Sequence, residues 1–176
     1  DYANIKFQVV TSGDADLRVS FEQNGSSYSY IGTDAKRINQ SQETMNFGWF
    51  TDRSSDTEIR RTTLHEFGHA LGAIHEQSSP DVDIQWDVDE VYRQYAERGW
   101  SQSQVDSNLF AKYSTNDVTN SEYDPLSIMH YPINNSLTLN DFSVGFNTEL
   151  SAVDKEFIGK TYPFPDTTPT EPTEPT

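Results

Sequence analysis

Alternating apolar and polar positions dominate the first fifty residues. Ile5, Phe7 and Val9 alternate with polar neighbours, as do Leu17, Val19 and Phe21, and Ser12-Gly13-Asp14 between them reads as a turn. Short strands are further predicted at 28–31, closed by Gly32, and at 44–50, TMNFGWF. The period then changes. Leu64, Phe67 and Leu71 fall at i, i+3 and i+7, the stripe of an amphipathic helix over 56–73, with Asp56 and Glu58 in the first turn, where the helix dipole favours acids. Val88, Val91, Tyr92 and Tyr95 set a second helix over 87–98, stopped by Gly99, and 101–110 allows a short third. After an irregular stretch at 137–146, Ser151-x-x-Asp154 is a capping-box variant opening a last helix. Val153, Phe157 and Ile158 form its inner face, and Pro163 lies beyond its end. The fold class is α+β. Residues 1–164 make one domain of ordinary size; 165–176, a repeating Thr/Pro/Glu pattern too poor in apolar groups to fold, reads as an extended linker to a second domain.

One polar set interrupts the helical stripe. His65 and His69 are four apart, so on a helix they stand about 40° apart in azimuth and about one turn apart in height, within reach of one metal ion. Glu66, directly after the first of them, is poorly placed as a ligand but well placed to take a proton from a water at the metal. His75 comes six residues after His69, roughly 240° away on a continued helix, so the helix must break for it to join them. Gly72 is where it can, because glycine accepts the left-handed conformation that ends a helix. Three imidazoles leave a fourth tetrahedral position open, the pattern of a catalytic zinc rather than a structural one. A bare H-E-x-x-H also arises by chance in helices; Gly72, His75 and Glu76 in register make that reading remote.

The string His65-Glu66-x-x-His69-x-x-Gly72-x-x-His75-Glu76 resembles the metzincin metalloproteases, and Glu after the third His is similar to the astacin family. A second segment, Tyr123-Asp124-Pro125-Leu126-Ser127-Ile128-Met129-His130-Tyr131, is similar to the astacin Met-turn, Y-D-x-x-S-I-M-H-Y. The run from Leu150 to Tyr162 resembles that family's C-terminal helix. The resemblance implies a metzincin-like zincin: a twisted sheet and the active-site helix above a cleft, and an irregular lower subdomain holding the Met-turn and last helix. It implies that His65, His69 and His75 bind one Zn2+, that Met129 forms an apolar floor beneath the metal, and that Tyr131 is a hinged fourth ligand that stabilises the transition state. His130 is then a hydrogen-bonded turn residue. By the same resemblance, 44–50 is the sheet's edge above the cleft, pairing with extended protein or peptide substrates. The family's first strand and the helix behind it, before the equivalent of 4–10, have no counterpart here.

Charge narrows the partners. A net charge of -16 and a pI near 4.4 oppose nucleic acid and anionic membrane as partners, and no apolar run reaches membrane-spanning length. There is no cysteine, hence no disulfide framework, which departs from animal astacins and points to a cysteine-free microbial type. Sequons at Asn24, Asn39 and Asn134 are compatible with secretion to an extracellular location. Asp81, Asp83, Asp87 and Asp89 raise the possibility of calcium, but the glycine and bidentate Glu of a calcium loop are missing; solvated carboxylates are preferred.

Together these readings predict a secreted zinc endopeptidase with Glu66 as general base and Tyr131 as oxyanion stabiliser. The alternative is a non-enzymatic zinc-containing recognition or adhesion module. For specificity, several astacins carry a basic residue after the Met-turn that selects acidic substrates. From Pro132 to Leu150 this chain has no Lys or Arg. The pocket is therefore expected to prefer small or apolar residues, with Ile133 and Leu137 as candidate walls, unless an Arg reaches it from elsewhere in the chain.

Overall fold

The structure, a computed structural model, describes residues 1–116, 118 and 122–165. The linker beyond Pro165 lies outside the described residues. Three short strands open the fold: β1 (Val19–Ser20), β2 (Ser27–Ser29) and β3 (Met45–Phe47). They form one sheet in the order β1-β3-β2, with β1 parallel and β2 antiparallel to β3. The predicted edge role of 44–50 is therefore overturned over Met45–Phe47: β3 is paired on both sides and fully buried, and β1 and β2 carry the edges. Burial of β3 is made tolerable by Asn46, only 1% exposed. Its amide donates to the carbonyls of Ser26 (2.9 Å) and Glu22 (3.1 Å) and accepts from Ser20 Oγ and Glu22 N.

The strand predicted around Ile5, Phe7 and Val9 does not form. Its alternation is sound, but the segment finds no ladder partner among the described residues, so Val9 stays 92% exposed and Phe7 only leans edge-on against Phe67 at 5.1 Å. A period-2 pattern specifies a strand only when another strand accepts its backbone.

The helices follow their patterns more closely. α1 (Asp56–Ala70) is capped by Ser55, whose hydroxyl accepts from Glu58 N. It stops where Gly72 takes φ +100°. α2 (Val88–Glu97) is capped by Asp87, and the short α3 (Gln102–Val105) runs into a π-helical turn, Asp106–Phe110. α4 (Ala152–Thr161) begins at the predicted capping box of Ser151 and Asp154.

The main apolar core is built around α2 and α3. Val82, Ile84, Val91, Tyr95, Val105, Leu109, Ile133, Leu137 and Val144 pack together there, joined by the bridges Trp86–Thr138 and Ile133–Val144. Ile133 and Leu137, each 3% exposed inside this core, are thus not available as walls of a substrate pocket. On α1 itself the expected burial is reversed: Thr62, His65, Glu66 and His69 are buried, while the stripe of Leu64, Phe67 and Leu71 is half-buried and borders a large groove behind the helix.

Candidate metal centre

The turn at Gly72 brings His75 back beneath α1. The Nε2 atoms of His69 and His75 come within 3.1 Å of each other, and those of His65 and His75 within 3.3 Å. Two of the rings are locked from behind: His65 Nδ1–H donates to the Ile128 carbonyl at 2.9 Å and His69 Nδ1–H to the Ala73 carbonyl at 2.8 Å. Their Nε2 atoms are therefore unprotonated and aim lone pairs at a shared point. Burial pushes all three pKa values down, His65 to about 4, which keeps the imidazoles neutral as ligands must be. Tetrahedral ligands about 2.05 Å from a zinc ion stand about 3.3 Å apart, so this donor set fits zinc. Among the described residues these three form the one group of His or carboxylate side chains within reach of a single ion. In the acidic stretch after Pro80, Asp87 caps α2 and Asp83 accepts from Gln85.

Glu66 shares the buried face. It is 4% exposed, its Oε2 has no hydrogen-bond partner among the described residues, and burial pushes its pKa up to about 8. A cation at the neighbouring nitrogens would oppose that rise. Tyr131 completes the cluster, its ring 4.2 Å from that of His75 and 5.9 Å from that of His65, and burial raises its phenol above the usual range.

The Met-turn lies under the helix. Met129 Sδ would collide with a Cβ at position 68, so only glycine lets the sulfur sit this close to α1. The turn is held from two sides. Glu76 Oε1 accepts from Asp124 N at 2.8 Å and Glu76 N donates to the Met129 carbonyl, while Asp154 accepts from Ser127 Oγ (2.7 Å) and Ile128 N (2.9 Å). His130 is, as expected, a turn residue: its Nδ1–H donates to the Tyr131 carbonyl and its Nε2 accepts from Tyr123 O–H.

Sequence reasoning missed three contributors. Gln77, fully buried, bonds Tyr131 N; Asp154 was legible as a helix cap but not as the clamp on the Met-turn; and Tyr162 donates to the Leu71 carbonyl at the end of α1. Only the cap had a local signal. The segment 132–150, which lacks its own cation, receives one from α1: the Arg61 guanidinium lies 4.3 Å over the Phe146 ring, with its charge engaged by Glu58 at 2.9 Å.

Sequence and fold are shared with known proteins. Myroilysin is 55% identical over 93% of this chain and 81% of its own, superposing with a TM-score of 0.90. Protein SpAN of Strongylocentrotus purpuratus is 36% identical over 114 residues, 57% of this chain, and blastula protease 10 of Paracentrotus lividus is 46% identical over 72 residues, 40% of it. The matched regions amount to only 17% and 11% of those two curated relatives. The family model of astacin, a peptidase family, matches residues 2–163. With that match over nearly its whole described length, the chain belongs to the astacin family.

Proposed function

We propose that this chain is the catalytic domain of a secreted zinc endopeptidase. The observation that carries the reading is the unpartnered, buried Glu66 carboxylate oxygen beside three converging imidazoles. Leaving a buried acceptor unbonded costs about 1–3 kcal/mol, a cost without benefit in a module that merely holds zinc. His65, His69 and His75 would hold the ion, with Tyr131 as a further ligand. When bound, zinc supplies Lewis-acid polarisation of the scissile carbonyl and acidifies the attacking water. Glu66 accepts that water's proton and returns it to the leaving amine nitrogen. Tyr131 donates its phenolic hydrogen to the oxyanion of the tetrahedral state.

The open edge available to an extended peptide is β2, antiparallel and unpaired on its outer side among the described residues, so substrate pairing moves there from 44–50. Because the Arg61 charge is met by Glu58, small or apolar residues remain the preferred occupants just after the cut. Secretion is supported by the exposure of all three sequon asparagines, Asn24, Asn39 and Asn134.

The test is casein hydrolysis by the zinc-loaded protein. Cleavage should disappear with 1,10-phenanthroline and return with added zinc. Protein carrying one zinc per chain that cleaves nothing would favour the recognition module instead.

A further inference from the structure

We infer that Gln77 is a positioning residue for Tyr131: its buried side-chain amide fixes the main-chain pivot about which the Tyr131 phenol turns. This rests on the role given to Tyr131 above. Tyr131 lies outside every helix and strand, so no ladder or helical bond holds its peptide groups. Side chains do so instead. Its N–H donates to Gln77 Oε1 at 3.2 Å, and its carbonyl accepts from His130 Nδ1 at 2.7 Å.

Gln77 is itself held at three points. It sits in the 3-10 turn Glu76–Ser78 immediately after His75, its carbonyl accepts from Lys112 Nζ, and its Nε2–H donates to the Asn108 carbonyl at 3.2 Å. Asn108 belongs to the π-helical turn Asp106–Phe110, whose last carbonyls lack intrahelical partners, so the amide satisfies an orphan there while it accepts from Tyr131. At 0% exposure an apolar side chain of equal length would fill the same space without the desolvation cost of an amide. The amide is useful because both of its ends are engaged, one on the π-helical turn at Asn108 and one on the residue that must move. With the backbone pinned at N–H and carbonyl, side-chain torsions alone carry the phenol between metal and substrate, and little conformational freedom is lost at the moment of reaction.

The experiment compares zinc-loaded parent, Gln77→Met, Gln77→Glu, Tyr131→Phe and the Gln77→Met/Tyr131→Phe pair on one fluorogenic peptide. Gln77→Met should lower kcat about tenfold with KM within about twofold, and the same substitution in the Tyr131→Phe background should change kcat by less than about twofold. Equal factors in both backgrounds would mean that Gln77 acts only through folding and would overturn the assignment. A Tyr131→Phe protein with parental kcat would instead sink the role of Tyr131, and this inference with it.

Gln77→Glu keeps an acceptor for Tyr131 N–H and sacrifices the bond to Asn108, so it should lose thermal stability yet retain kcat within about threefold. A kcat that falls along with its stability argues against positioning. Amide hydrogen exchange gives a readout independent of activity: the Tyr131 N–H should be protected in the parent and Gln77→Glu, with exchange in Gln77→Met about tenfold faster or more. Unchanged protection in Gln77→Met also overturns the proposal.

Discussion

Asp154 carries more of the fold than its position at a helix start implies. Its Oδ1 accepts from Ser127 Oγ–H at 2.7 Å, and its Oδ2 accepts from Ile128 N–H and Ser151 N–H, both at 2.9 Å. Asp154→Ala removes the acceptors of all three bonds. Ile128 is 3% exposed, so water does not replace the bond, and an orphaned buried N–H costs about 1–3 kcal/mol. The Ser127 hydroxyl, equally sheltered, adds about 1 kcal/mol, and loss of half the capping box about another. The expected cost is about 3–5 kcal/mol, a fall in Tm of about 10 °C for a domain of this size. Asp154→Asn makes a sharper comparison. Its remaining oxygen can face the two backbone N–H groups, and its Nδ2–H can donate to Ser127 Oγ, a hydroxyl that already accepts from Met129 N and has a second lone pair. Charge assistance disappears and the Ser127 O–H is left without its acceptor, together about 2 kcal/mol. Thermal unfolding followed by circular dichroism, in EDTA and with zinc, measures both variants. Equal losses in Asn and Ala would show that the negative charge matters rather than the bonding pattern, and an Ala variant within about 0.5 kcal/mol of the parent would refute the clamp altogether.

Other outcomes follow from the same geometry. Glu66→Gln should retain one zinc per chain by metal analysis while kcat falls about 10³-fold; a fully loaded variant with near-parental turnover would remove Glu66 from its role. Gly48→Ala drives a Cβ into the Ser26 carbonyl and Asn24 Oδ1, so the turn leading into β2 must shift away from the end of β3, at about 2–3 kcal/mol in urea unfolding. A loss under about 0.5 kcal/mol would mean the turn yields freely. Hydrogen bonds from Arg93 and Gln94 lower the Glu90 carboxyl from 4.5 to about 2. Because the folded value lies below the unfolded one, this contribution is present above pH 4.5 and lost as pH falls toward about 2. In EDTA, the Tm gap between parent and Glu90→Gln should thus be widest above pH 4.5 and close toward pH 2; a gap constant with pH would contradict it.

What could be read without coordinates was chemistry encoded at short range. The i, i+4 spacing of His65 and His69, the helix break at Gly72 and the cap at Ser151 depend on neighbours a few residues away, and each recurs in the structure near its predicted place. The Met-turn was legible as a motif, because nine consecutive residues carry it. Tertiary structure decided whatever required a distant partner. Alternation at Ile5, Phe7 and Val9 is the same kind of signal as at Val19, yet only the latter segment meets β3, because a strand exists by virtue of the backbone that accepts it. Order within the sheet turned the expected edge into its centre. Ile133 and Leu137 look like pocket walls by proximity to Tyr131, but the bridge from Ile133 to Val144 and the packing against α2 draw them into the core. Gln77 and Asp154 gave no sign of their partners 54 and 26 residues away, since a single polar side chain has no period, and only the fold selects which buried N–H it must satisfy.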